Sequence, residues 1–247
     1  MIGRTFARTV AGLTLTALGF CLTTPTAEAS RRYPTEVTLR YPIAPNIDHS
    51  PVVQTPFEQC RTALADPNGV LVIGDSITAL GFDTITAQFA AAGRPVCINA
   101  RGGRRTDEGV YQLSRYVSGG LVGPNTSVVM ALGSNDVLRP ASEMKTNIVR
   151  TMQLLGTQRN VYWVHAFNYL WWDTVPQWRY VRGTRRVGEE IKWGAAHYGN
   201  ITTVPWPTLV KATYPALLSQ DLLHPTPDGN AARTRLILET MKPTVAP

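Results

Sequence analysis

From residue 56 onward, short unbroken apolar runs alternate with stretches of helical period. Val70, Leu71, Val72 and Ile73 are four consecutive apolar residues, three of them β-branched, and read as a strand buried on both faces. Further short strands are predicted over 95–99, 127–132, 160–165 and 201–204. Between them the apolar positions recur every third or fourth residue. Phe57, Cys60, Ala63 and Leu64 fit one helical face before the first strand. Ile77, Leu80, Phe82, Ile85 and Phe89 fit a helix after it, irregular near Gly81. Later helices are predicted over 107–117, 142–155 and about 178–198. The last runs from Thr226–Pro227, an N-cap followed by proline at the first helical position, to Met241. Strands that alternate with helices at crossover spacing predict an α/β domain, a three-layer α/β/α sandwich around a parallel sheet of about five strands.

The first 54 residues follow neither rhythm. Arg4 and Arg8 precede an uncharged apolar run from Val10 to Leu22, and Ala27-Glu28-Ala29 has the small-x-small form of a cleavage site. Residues 1–29 therefore read as a secretory signal peptide, too short in its apolar run for a membrane span, which needs about 20 residues. Residues 30–54 carry Pro34, Pro42, Pro45 and Pro51 without an apolar period and read as an extended arm, leaving 55–247 as the folded domain. The expectation is a secreted or cell-envelope protein with no stable membrane span after cleavage. At 44% hydrophobic and 17% charged residues, the composition is that of a folded domain. The formal net charge of +7 suits acidic surroundings, but no basic stripe with interleaved aromatics is present, so nucleic acid is not an expected partner. Loss of the leader, with Cys21, leaves Cys60 and Cys97 as an even pair. In an exported protein such a pair points to a disulfide between the first helix and the second predicted strand, the alternative being two buried thiols. Two cysteines and four scattered histidines form no metal-ligand cluster, and no cofactor motif is present.

Three of the predicted strands end in small or polar residues, at Ser76, at Gly102–Gly103 and at Asn135. In a parallel sheet all strand carboxyl ends lie on one edge, where ligands and catalytic groups collect, so these three can meet there. Ser76 could simply cap the helix that follows it. Near the other terminus, Asp221 precedes His224 by three residues. A carboxylate so placed can accept the imidazole Nδ1 proton and leave Nε2 free to take a proton from a serine hydroxyl.

The four blocks Gly74-Asp75-Ser76, Gly102-Gly103, Gly133-Ser134-Asn135-Asp136 and Asp221-Leu222-Leu223-His224, in this order, resemble the SGNH hydrolases, also called GDSL-type esterases and lipases. The resemblance spans about residues 70–240. It implies the flavodoxin-like fold of that family, with Ser76 as nucleophile, His224 as general base and then acid, and Asp221 orienting the histidine. The oxyanion hole it implies combines the backbone N–H of Ser76, a glycine N–H and the Asn135 side-chain amide. Gly103 is the favoured glycine, with Gly102 letting the backbone turn. Ile77 replaces the leucine in the family's name, and the Gly-x-Ser-x-Gly elbow of α/β-hydrolases is absent.

The expected substrate is a carboxylic ester of a small molecule, carbohydrate or lipid. Acyl transfer to a sugar hydroxyl would use the same residues, and a non-catalytic carbohydrate-binding protein would keep only the fold. Tyr169, Trp171, Trp172, Trp178 and Tyr180 form the densest aromatic cluster, and Trp171 and Trp172 are candidates for holding a sugar or acyl group. Arg101, Arg104 and Arg105 flank the proposed oxyanion glycine, and Arg104 is the candidate for drawing in an anionic substrate, the alternative being a solvated turn. His165 has no nearby acid in sequence and reads as a structural residue; Ser134 reads as a turn residue that places Asn135.

Overall fold

The computed structural model describes residues 51–170 and 175–241. Their centre is a six-stranded sheet. The run of apolar residues that opens the domain forms β2 (Val70–Gly74), with all five residues buried. On one side it pairs in parallel with β3 (Val96–Arg101), and on the other with β4 (Ser127–Ala131). The sheet continues in parallel through β5 (Val161–Val164) to β6 (Ile201–Val204). β1 (Val52–Gln54) closes the opposite edge, antiparallel to β3, which gives the order β1-β3-β2-β4-β5-β6. The five expected strands are thus all present and parallel. The sixth comes from the last residues of the stretch read as an arm, a three-residue edge strand between Pro51 and Pro56. The rest of that arm, residues 30–50, and the expected leader over 1–29 lie outside the described residues.

Buried side chains divide between the two faces of the sheet because strand residues alternate sides. Leu71, Ile73, Val128, Met130, Val161 and Trp163 belong to one core cluster. On that face lie α1 (Phe57–Ala65), α4 (Thr106–Ser118), α5 (Ala141–Leu155) and α6 (Gln177–His197), which contribute Cys60, Leu113, Ile148 and Ile191. Val70, Val72, Val129 and Val204 belong to the second cluster, with Phe89 of α3 (Phe82–Ala91), Val210 of α7 (Trp206–Thr213) and Ile237 of α8 (Pro227–Thr240). This is the expected three-layer α/β/α arrangement. The expected irregularity at Gly81 is a break, which separates a short helix, α2 (Ser76–Leu80), from α3. α7 was not expected from the pattern. Pro207 sits in the first helical turn, where no backbone N–H is required, and Trp206 is fully buried beside it.

Cys60 and Cys97 form a disulfide that joins α1 to β3 across a Cα–Cα distance of 4.7 Å, within the usual span of such bonds. No helix among the described residues is long and apolar enough to cross a membrane.

Candidate active site

Ser76 is the first residue of α2 and follows directly on the buried end of β2. It does not cap that helix, because Asp75 does: the Asp75 Oδ1 accepts the Ile77 N–H at 3.0 Å. The Ser76 hydroxyl is thereby left for other work. Gly74 is required just before it, since a Cβ there would collide with the Thr78 side chain where α2 folds back on the strand end.

His224 arrives from the far end of the chain. Its Nε2 lies 3.0 Å from the Ser76 Oγ, and its Nδ1 lies 2.5 Å from the Asp221 Oδ2. An ionised carboxylate can only accept, so the Asp221–Nδ1 contact places the ring proton on Nδ1 and leaves Nε2 as an acceptor facing the hydroxyl. The other carboxylate oxygen of Asp221 accepts the backbone N–H groups of Leu223 at 3.0 Å and His224 at 2.9 Å. Burial alone would raise the Asp221 carboxyl, but the hydrogen bonds from the His224 ring and from these two N–H groups outweigh it and hold the carboxyl below its ordinary value. Between them Leu222 adopts a left-handed conformation, φ 56°, which is uncommon outside glycine. Its carbonyl accepts the Tyr169 N–H at 3.1 Å, tying the loop to the segment that follows β5.

Asn135 stands in the turn after β4, and its Nδ2 donates to the Arg104 carbonyl at 3.1 Å. One amide hydrogen is thus used in fixing the side chain and one remains. The Asn168 Nδ2 holds the Ser134 carbonyl at 2.9 Å, a buried tie between the ends of β4 and β5 that no sequence signal marks. Ser134 itself is buried in the turn, in keeping with its expected part. Gly102 and Gly103 follow β3 directly. The left-handed residue is Gly103, φ 67°, so the conformational demand falls there and not on Gly102 as expected.

Arg104 is a correction to the sequence reading. It is 2% exposed, and its Nη1 donates to the carbonyls of Gly74 at 3.0 Å and Asn99 at 2.7 Å. The side chain ties the ends of β2 and β3 together and has no guanidinium face to offer a substrate. Burial, with Arg101 beside it, lowers its pKa to about 10, so it stays charged at neutral pH. Arg101 and Arg105 are also engaged. Arg101 pairs with Glu108 at 2.5 Å, and Arg105 lies 3.4 Å from Asp107.

Asp75, just before the serine, feels a buried charge of opposite sign. Asp75 and Arg233 of α8 are both inside the protein. Burial pushes the Asp75 carboxyl up, against the charge of Arg233, the Ile77 N–H and His224, and burial likewise lowers Arg233 against the charge of Asp75.

The aromatic cluster is divided. Tyr180 is part of the core, Trp178 is 61% exposed, and Tyr169 stacks on Phe167 with ring centroids 4.2 Å apart. Trp171 and Trp172 lie outside the described residues. His165 is buried, and that burial, with Lys192 nearby, lowers its pKa to about 4, so it is neutral. Among the described residues no group of three or more His, Cys, Asp or Glu is gathered to hold a metal ion.

No family model and no curated protein matches the chain. Solved structures do. A member of the lipolytic G-D-S-L family from Veillonella parvula is similar over 70% of this chain and 97% of its own, with 21% identity and a TM-score of 0.57. An acetylxylan esterase from Geobacillus stearothermophilus, solved as a catalytic mutant, is similar over 69% of this chain and 92% of its own, at 18% identity and a TM-score of 0.54. The C-terminal catalytic domain of a peptidoglycan O-acetyltransferase from Streptococcus pneumoniae is similar over 70% of this chain and 89% of its own, at 16% identity and a TM-score of 0.55. The fold of this chain is the α/β/α fold of the SGNH hydrolases.

Proposed function

We propose that the chain is an exported serine esterase that hydrolyses carboxylic esters through an acyl-enzyme on Ser76. The observation that carries this reading is the continuous relay Asp221–His224–Ser76, in which the serine meets a histidine 148 residues away, closed at 2.5 and 3.0 Å. In the first half of the reaction His224 Nε2 takes the hydroxyl proton as Ser76 Oγ bonds to the ester carbonyl carbon. The oxyanion so formed receives hydrogen bonds from the backbone N–H groups of Ser76 and Gly103 and from the remaining Asn135 amide hydrogen. The intermediate collapses, the C–O bond to the alcohol breaks, and His224 returns its proton to the departing oxygen. Water then attacks the acyl-enzyme with His224 again as base, the acid leaves, and the serine hydroxyl is restored. Asp221 remains a carboxylate throughout and steadies the imidazolium.

The expected leader over 1–29 supports export. The assembled relay weighs against a protein that only binds carbohydrate, which needs no activated serine. Ser76→Ala, assayed with p-nitrophenyl acetate, is expected to lower kcat about 10⁴- to 10⁶-fold. Wild-type turnover by this variant would overturn the assignment. Acyl transfer to a sugar hydroxyl is the second reading, favoured by the likeness to the O-acetyltransferase domain. It uses the same first half-reaction with the sugar in place of water, and the partition of acetyl between water and an added chitooligosaccharide distinguishes the two.

A further inference from the structure

A cavity lies on the edge of the sheet where the strands end, but not at Ser76, which does not line it. It occupies about 940 Å³ between the segment after β5, the outer face of α6 and α7. That is near the upper end of ligand pocket sizes, enough for more than a small acyl group. His165 and Tyr169 come from the β5 segment, Trp178, Arg182 and Lys192 from α6, and Lys211 from α7. Arg185 and Glu189 also line it but satisfy each other, 3.3 Å apart. Arg182, Lys192 and Lys211 form no ion pair among the described residues, and His165 beside them is neutral. The free charge of the cavity is therefore three cations, with two aromatic side chains, Tyr169 and Trp178, for the ligand to lie against. The arginines at the β3 turn, by contrast, are engaged with carboxylates or carbonyls and offer no such charge. One wall of the cavity is tied to the loop that carries Asp221 and His224, because the Tyr169 N–H donates to the carbonyl of Leu222 at 3.1 Å.

We propose that this cavity is a binding subsite for an anionic glycan, the carboxylate-bearing alcohol half of the ester that Ser76 attacks. Spread cations meet the carboxylates of successive sugars, and aromatic faces stack on the apolar faces of the rings. An anionic lipid surface would be met by a basic convex patch with apolar side chains, whereas here the cations line a concavity with aromatic walls. The inference rests on the esterase reading for which half of the substrate is held, but not for binding itself.

The test uses the full mature protein carrying Ser76→Ala, so that no turnover is needed. Isothermal titration with hexagalacturonate is expected to show binding that weakens as NaCl is raised from 50 to 300 mM, since exposed charges are screened over that range. In the Lys192→Ala/Lys211→Ala background, Kd is expected to rise about tenfold; both lysines are exposed, so the fold tolerates the change. Neutral xylohexaose is expected to bind at least tenfold more weakly than hexagalacturonate. Equal affinity for the neutral and acidic sugars, or an unchanged Kd in the double lysine variant, would overturn the proposal. Binding to phosphatidylglycerol vesicles without binding to hexagalacturonate would overturn it in favour of a membrane surface. Loss of esterase activity in Ser76→Ala with no sugar binding would leave the esterase reading standing and remove only the subsite.

Discussion

Arg104 carries more of the site than its position in a glycine-rich turn implies. Its guanidinium meets the carbonyls of Gly74 and Asn99, and its own carbonyl fixes Asn135. Two strand ends and a proposed oxyanion donor are therefore held through one residue. Arg104→Met keeps much of the bulk but leaves both carbonyls unmet in the interior. Loss of charged hydrogen bonds of this kind costs about 2 to 4 kcal/mol, and urea unfolding should show that loss. With p-nitrophenyl acetate kcat should fall while KM stays near its starting value, because Asn135 acts only once charge has developed on the oxygen. A substrate-facing arginine, one of the two expectations from the sequence beside a solvated turn, would instead leave stability intact and raise KM for acidic substrates. The error has a physical source. Ser76, Asp221 and His224 could be picked out because Ser76 ends a predicted strand and Asp221 stands three residues before His224, a spacing from which the carboxylate reaches the ring. A buried arginine is rare, and nothing in its neighbours along the chain reveals that two carbonyls wait for it.

At the scale of elements, the strands and long helices were legible because apolar runs and 3.6-residue periods are properties of the chain itself. β1 and α7 were not. Four residues between prolines carry no period, and β1 exists only because β3 offers it a partner, over Val52–Arg101 to Gln54–Asn99. The joints between elements were also invisible, and Asp136 is the instructive one. Thr106, the first residue of α4, donates its N–H at 3.1 Å and its hydroxyl at 2.8 Å to the Asp136 Oδ2 in the turn after β4. A carboxylate at a helix N-terminus is favoured, yet burial dominates those hydrogen bonds and raises the Asp136 pKa to about 6. The folded value therefore lies above the unfolded one, about 3.9. Between pH 4 and 6 the native protein binds more protons at this site than the unfolded chain, so its contribution to stability falls as pH rises, and it is constant above both values. Asp136→Asn removes that dependence. From pH 4.5 to 7.5 the unfolding free energy of the wild type, relative to the variant, should fall by roughly 2 kcal/mol. A difference independent of pH would show that the carboxyl titrates normally.

For the molecule as a whole, the proposed chemistry and the covalent tie lie at opposite ends of the sheet. Ser76, Gly103 and Asn135 follow the carboxyl ends of β2, β3 and β4, whereas Cys97 is the second residue of β3 and pairs in register with Leu71 near the start of β2. The disulfide fastens α1 to the end of the sheet remote from Ser76. It closes a loop of 37 residues. Chain entropy alone gives such a loop about 3 to 4 kcal/mol of stabilisation, acting through the unfolded state. Cys60→Ser/Cys97→Ser should therefore lose about that much in urea unfolding, while kcat for p-nitrophenyl acetate at 25 °C stays within about twofold because no reacting group moves. Both cysteines are buried, so a mild reductant added to the native protein should leave the bond intact until the chain unfolds. The same bond bears on export. Once the proposed leader with Cys21 is gone, protein purified from the medium should release no thiol on denaturation. A protein kept in a reducing compartment should release two from these positions. Two thiols in the exported protein, with the double variant as stable as the wild type, would remove both the bond and its contribution, and the fold would then rest on its two apolar layers alone.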